Sequence, residues 1–490
     1  MPFLAFSKIS QTRNKHIFSI NLHIDRERVF IYNVVCTTNI SWCILQRNNK
    51  LSGKYFVMIN VKDFIEKNAK TATEAFQKAI DLACERGGET VFVPFGVYTL
   101  GTVVLRDNTN LVFEDGVKIY SVENLSEFAP DEEIAYPTYQ DLSHSKYTCA
   151  MFYANEVENV NIRGLATIDM RSIWDPEDKR SPKGDGYHRG AKVFSLRKVN
   201  GLRISDVKIL HATDISVLMG ACKDVILSKL YIHSHIDGIS PDCCEDVVIS
   251  DCIIKTGDDA LVLKTSYFDN QRLACQRITV TNCILSSRAN AIKLGTESVG
   301  DFRYINVSNC VLLNTQHSGI AIESVDGANI YGVNISNITM NNVANPLFIY
   351  LADRLRAPVG TEMGSISDIN ISNVFADVNE ERFKSIDSWY PDIKEGSDYG
   401  TNCSYPSLIV STEKTNKIKN VSLSNINLRV LGGETEIKSV FPDSKEYPES
   451  HKFKLPCYGL YAKNVEGLKL YNVNYQMKKP DVRASQIIEE

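Results

Sequence analysis

Apolar or cysteine residues recur along most of this chain in the register i, i+2, i+5. The register holds at Val160/Ile162/Leu165, Leu202/Ile204/Val207, Val225/Leu227/Leu230, Val247/Ile249/Cys252 and Ile278/Val280/Cys283. It continues through Ile305/Val307/Cys310, Val333/Ile335/Ile338, Ile369/Ile371/Val374, Val421/Leu423/Ile426 and Leu468/Leu470/Val473. Alternation inside each unit has the period of two that belongs to a strand with one buried face, and Asn, Asp, Ser and Gly residues supply the turns. From Val207 to Ile338 the last member advances by 23, 22, 31, 27 and 28 residues, the length of one coil in a stacked solenoid. An apolar period of 3.6 residues is missing from this region, so a helical bundle is excluded and an all-β parallel solenoid is predicted.

One stretch reads as a helix. Over residues 73–86, Ala75, Phe76, Ala79, Ile80, Ala83 and Cys84 share a face, Thr73 is the expected N-cap, and Gly87–Gly88 ends the run. An amphipathic helix ahead of the first coils predicts a cap on the exposed apolar end of the solenoid. The β-domain is therefore expected over residues 58–490. Residues 1–57 keep no steady period and are set apart as an atypical extension. They are expected to be disordered or weakly docked, or untranslated if Met58 is the true start. They contain neither the roughly 20 consecutive apolar residues of a membrane span nor the parts of a signal peptide.

Composition narrows the class of partner. An uninterrupted repeat across much of 490 residues predicts one elongated domain rather than several small ones. With 54 basic and 59 acidic residues the net charge is −5, so no nucleic-acid partner is expected, and no membrane partner either. Of the 13 cysteines, Cys252, Cys283 and Cys310 fall in the inward slot of successive coils, where a thiol packs as a small hydrophobe. Cys243 and Cys244 lack partners at zinc-like spacing, and neither a metal nor another cofactor is expected. Without a disulfide framework or an export signal, the expected compartment is the cytoplasm; the alternative is a secreted protein whose signal peptide lies outside this sequence. Oligomeric state is not legible.

The candidate chemistry sits inside the repeat. An HIDGIS segment at 235–240 is followed by TGDD at 256–259, which places Asp237 21–22 residues before the Asp258–Asp259 pair. That interval is about one coil, and parallel strands lie roughly 4.7–4.9 Å apart, so the three carboxylates are expected on one face of adjacent rungs. Like charges that close cannot all ionise freely. One is expected to keep a proton near neutral pH, giving the acid and the base that glycosidic hydrolysis requires.

HIDGISPD followed by TGDDALVLK resembles the NTDGID and GDD segments of the family 28 glycoside hydrolases, the polygalacturonase family, over roughly residues 58–350. The resemblance implies a single-stranded, right-handed parallel β-helix of the pectin-lyase-like kind. It also implies hydrolysis with inversion, Asp258 as general acid, and Asp237 with Asp259 on the base side, activating water. Aligning NAIKLGTES with the family's GHGISIGS places Asn290 where the family has its His, and Lys293 where it has a small polar residue. Aligning SGIAIES with GIRIKT places Ala321 and Glu323 where the family has the Arg and Lys that clamp a galacturonate carboxylate. Alanine offers no donor and glutamate repels, so little endo action on long homogalacturonan is expected.

Replacement contacts to substrate are sought in Arg288 and Lys293 on the coil after the Asp pair, in His317 and Glu323 one coil further, and in Arg354 and Arg356. Asn290 is counted with them, and His188, Arg189 and Trp174 lie in an insertion that would wall a cleft. The expected function is inverting, exo-acting hydrolysis of a pectic or related acidic oligosaccharide. Insertions at 171–192, 375–417 and 431–463 are long enough to close one end of a groove. The alternatives are a polysaccharide lyase on the same β-helix, with Arg288 or Lys293 as base, and a non-catalytic carbohydrate-binding solenoid.

Overall fold

The computed structural model describes residues 58–141, 143–171, 190–378, 406–437 and 455–489, together with the backbone of five short strands within 1–57. The chain divides into two compact units, Met1–Val57 and Met58–Glu490. In the first, strands Lys15–Ile24 and Arg28–Cys36 pair antiparallel. In the second, every strand pairing but one short hairpin, Tyr267–Phe268 with Gln271–Arg272, is parallel among the described residues.

The parallel strands stack in three columns that wind as a β-helix. The first column runs through Thr90–Val93, Asn110–Phe113, Glu158–Arg163, Asn200–Ser205, Lys223–Ser228, Glu245–Ser250 and Cys275–Thr281. The second includes Lys208–Ala212, Tyr231–Ser234, Ile253–Thr256 and Ile284–Ser287. The third includes Lys192–Arg197, Val217–Gly220, Ile239–Asp242, Leu261–Thr265 and Ile292–Ser298. Phe302–Ser324 is long enough to pass through all three columns.

The expected repeat is the register of the first column. Val160, Leu202, Val225, Val247, Ile278, Ile305, Val333, Ile369 and Val421 lie directly beside one another on successive rungs, all buried. Each such side chain contributes roughly 1.5–3 kcal/mol by leaving water. The thiols of Cys252, Cys283 and Cys310 occupy the inward slot as expected, each directed at the carbonyl two residues earlier at 3.2 Å. One member of the pattern is corrected. Leu165 is 58% exposed and Ala166 takes the buried slot, because Gly164 turns the chain with φ 120° under the Phe113 carbonyl.

The turn out of the first column is made by asparagine. Asn309, Asn337, Asn373, Asn425 and Asn472 all have φ between 54° and 56°, the left-handed conformation that asparagine tolerates. Their amides bond one to the next, Nδ2 to Oδ1, at 3.1, 3.1, 3.2 and 2.9 Å, forming a ladder along the solenoid.

Helix α1, Thr73–Glu85, buries Ala75, Phe76, Ala79, Ile80 and Ala83 against the first coils, while Cys84 is only half-buried. The expected N-cap is corrected: Ala72 occupies that position, and the Thr73 hydroxyl instead accepts the Gly101 N–H at 2.8 Å, tying the helix to the solenoid. Gly87 and Gly88, with φ 81° and 95°, return N–H bonds to Cys84 and Ala83 and close the helix. No helix among the described residues is long and apolar enough to cross a membrane.

Candidate active site

The site forms where the second column turns into the third. Asp237 precedes strand Ile239–Asp242, and Asp258 and Asp259 precede its neighbour Leu261–Thr265. The two turns are joined directly, because the Gly238 N–H donates to the Asp259 carbonyl at 3.0 Å and the Ile239 N–H to that of Ala260 at 3.1 Å. This close approach needs glycine: a Cβ at Gly238 would lie 2.4 Å from the Ala260 carbonyl oxygen. The hydroxyls of Thr256 and Ser287 both donate to the Asp258 carbonyl at 2.5 Å and fix the pair's backbone.

The outcome is that Asp237, Asp258 and Asp259 converge. One oxygen from each lies within 4.8 Å of the others, with Asp237 and Asp259 buried and Asp258 the more exposed. This is the only such acidic cluster among the described residues. Cations already stand beside it. Lys293 Nζ lies 3.3 Å from Asp259, and the Asn290 backbone and side-chain amides donate to the same carboxylate at 3.0 and 2.7 Å. Burial opposes the charge on Asp259, but Lys293, Lys264 and Asn290 outweigh it and hold the carboxyl below its usual range.

A second ring of charge surrounds the trio. Burial works against the ammonium of Lys264, yet Glu297, which it contacts directly, and Asp237 raise its pKa. Burial likewise works against the charge on Glu297, but Lys264 brings its carboxyl down to about 2. Lys293 is buried too, and Asp259 followed by Glu323 keeps it firmly protonated. Glu323 is different. It is fully buried, and burial, with the charge of Asp259 adding to it and Lys293 only partly opposing it, pushes it up to about 7.

The other residues expected at the site are distributed around this core. Asn290 bridges two coils, since its Oδ1 also accepts the Ser318 N–H at 3.0 Å. His317 is buried beside Ser318, with its N–H on the Ala289 carbonyl at 3.1 Å. Arg288 is half-buried and donates its N–H to the Thr256 carbonyl at 3.1 Å, at the turn carrying the Asp pair. Arg354 forks onto Asp326 at 2.9 and 2.6 Å and reaches the Thr296 carbonyl, and the Arg356 N–H also donates to Asp326. Ala321 is buried directly beside Lys293 in the third column, so the cation of this face stands one rung earlier. Trp174, His188 and Arg189 lie outside the described residues.

Sequence reading missed four participants. Lys264 ends the TGDDALVLK segment on an outward position of its strand, and the alternation alone would have pointed to it. Glu297 sits on the strand that carries Lys293. Asp141 and His144 come from a connection some ninety residues earlier, and no repeat or spacing marks them. His144 is buried, with Nε2 3.5 Å from Asp237 and Nδ1 2.9 Å from Asp141.

Fold and site together define a parallel β-helix on which three carboxylates converge at the turn from its second column into its third. The model of the glycosyl hydrolases family 28 matches residues 88–430, and the chain belongs to that family. It is 24% identical over 277 residues to a probable polygalacturonase of Vitis vinifera, covering 53% of this chain and 55% of that protein. It is 24% identical over 307 residues to an endo-polygalacturonase of Pectobacterium carotovorum subsp. carotovorum, covering 58% of this chain and 73% of that one. The matches to two plant relatives, from Vitis vinifera and Arabidopsis thaliana, thus span 55% and 64% of their lengths.

Solved structures share the fold, a right-handed parallel β-helix. An exopolygalacturonase from Thermotoga maritima superposes with a TM-score of 0.58 at 18% identity, over 77% of this chain and 89% of that one. A family 28 exopolygalacturonase from Yersinia enterocolitica gives 0.61 at 14% identity, over 97% and 83%.

Proposed function

We propose that this chain is an inverting glycoside hydrolase acting on pectic or related acidic oligosaccharides, and that it works from a chain end. The observation that carries the reading is the convergence of Asp237, Asp258 and Asp259 within 4.8 Å on neighbouring rungs of a family 28 β-helix. The charges around the trio divide the roles. Asp259, ion-paired to Lys293 and bonded twice by Asn290, is held ionised and cannot be the acid. Asp258, the more exposed of the three, delivers the proton to the leaving oxygen. Asp237 and Asp259 hold and deprotonate the attacking water. End-on action rests on the sequence alone, since the insertions at 171–192, 375–417 and 431–463 expected to close the groove lie largely outside the described residues.

Two other readings meet specific observations. A lyase needs a neutral base, and Lys293, kept protonated by Asp259 and Glu323, is unsuited to that part. Inversion rests on the family resemblance, while retention is the second reading that the close carboxylates favour, since inverting carboxyl pairs usually stand about 6.5–9.5 Å apart and retaining ones about 5–5.5 Å. Product stereochemistry decides between them. Proton NMR of the first product from pectic oligosaccharides should show inverted anomeric configuration, released as monomer or dimer with no near-ultraviolet absorbance. A retained anomer would replace the proposal with double displacement, and an unsaturated product would replace it with elimination.

A further inference from the structure

His144 is held by a connection built to hold it. Asp141 Oδ1 accepts both the His144 backbone N–H and its ring Nδ1, each at 2.9 Å. The Ser145 hydroxyl donates to the Asp141 carbonyl at 2.8 Å, and Glu132 accepts the N–H groups of Tyr147 and Thr148 at 2.7 and 3.0 Å. The ring is 4% exposed, so its nitrogens have no bulk water to turn to. Nε2 faces Asp237 Oδ2 at 3.5 Å and Ser240 Oγ at 3.3 Å.

This geometry favours a charged ring, with the Ser240 hydroxyl free to accept from Nε2 rather than donate to it. Nδ1 meets a carboxylate and must donate. In the neutral tautomer that satisfies it, Nε2 would turn a lone pair toward the Asp237 carboxylate, which is repulsive; a proton on Nε2 turns the contact into an ion pair. We propose that His144, kept as an imidazolium by Asp141, is a positioning residue that fixes the orientation of Asp237 for water activation. The proposal rests on the hydrolase reading for its purpose and on the geometry for its charge. Burial opposes the imidazolium and Lys264 repels it, but Asp141 foremost, with help from Asp237, lifts the ring to about 10. The other charged groups facing it are Asp242 on strand Ile239–Asp242 and Glu297 on strand Ile292–Ser298. His144 is thus charged across the whole neutral range.

Nitrogen-15 histidine NMR of the intact protein tests the charge without any substrate. With the His144 signal assigned by its loss in His144→Gln, the wild-type ring should be doubly protonated at pH 8. In Asp141→Asn, which keeps an acceptor at the same place but removes the charge, it should be neutral. A neutral ring in the wild type at pH 8 would overturn the proposal whatever the protein hydrolyses. Kinetics then test the role. His144→Gln and Asp141→Asn should lower kcat by up to about 100-fold with little change in KM. An unchanged kcat in both variants, or equal changes in kcat and KM, would leave His144 a structural residue and sink the positioning role. Inactivity of the wild type on pectic fragments would refute the hydrolase reading alone, with the NMR measurement still deciding the ring's charge.

Discussion

Two buried carboxyls compete for one ammonium, and the loser should be visible in protein stability. Lys293 is 3.3 Å from Asp259, which also accepts two Asn290 bonds; Glu323, driven up by burial and by the charge of Asp259 against the pull of Lys293, holds its proton up to about pH 7. In the unfolded chain the same carboxyl ionises near 4.5. A folded value above the unfolded one contributes stability that is complete below the unfolded pKa and is lost as pH rises through the folded one. At 1.36 kcal/mol per pH unit, the move from 4.5 to about 7 amounts to about 3 kcal/mol, lost between pH 4 and pH 8. Glu323→Gln removes the titration while keeping the size and one amide dipole. Urea unfolding of both proteins at pH 4 and pH 8 isolates the effect, because every other titrating group is shared. The variant should match the wild type at pH 4 and exceed it by about 3 kcal/mol at pH 8. Parallel pH dependences in the two proteins would mean that Glu323 is ionised throughout, and the competition for Lys293 would have been misjudged.

Asp258→Asn should lower turnover by about 10²–10⁴-fold with unchanged melting, because an amide cannot deliver the acid's proton; rates near wild type on a good substrate would remove Asp258 from the role of acid. With Ala321 buried and Glu323 anionic only above neutrality, long homogalacturonan should be cut slowly, and viscometry showing a rapid early fall would contradict the reading of that face. Phe76 is fully buried on α1 and meets Tyr98 edge-on at 5.5 Å, so Phe76→Ala should cost about 3–5 kcal/mol in chemical denaturation; a loss under 1 kcal/mol would mean that the helix does not cap the core.

The fold was legible because a solenoid repeats its core pattern on every coil. A slot filled by Val225 must be filled again by Val247 and Ile278, so a single chain carries its own alignment. The convergence of the three carboxylates was legible for the same reason, since one coil of sequence is one rung of space. Lys264 was within reach of the same logic but carried no motif of its own. Asp141 and His144 were not legible, because a connection folded over the sheet obeys no period and its endpoint is set by tertiary contacts. The Leu165 and Thr73 readings failed locally. A glycine turn shifted one slot by a residue, and a threonine found a better partner in Gly101 than in its own helix.

The asparagine ladder has a consequence for how such a chain can change. Successive rungs are 28, 36, 52 and 47 residues apart, yet the amide contacts between them stay within 2.9–3.2 Å. Contour length between rungs is therefore decoupled from rung geometry, and a connection can grow or shrink without a neighbouring coil registering the event. Changes of chain length between rungs can therefore rewrite the walls of the groove while the spine is kept intact. An engineer has the same licence: loops exchanged between rungs should alter what enters the groove and leave the spine to fold as before.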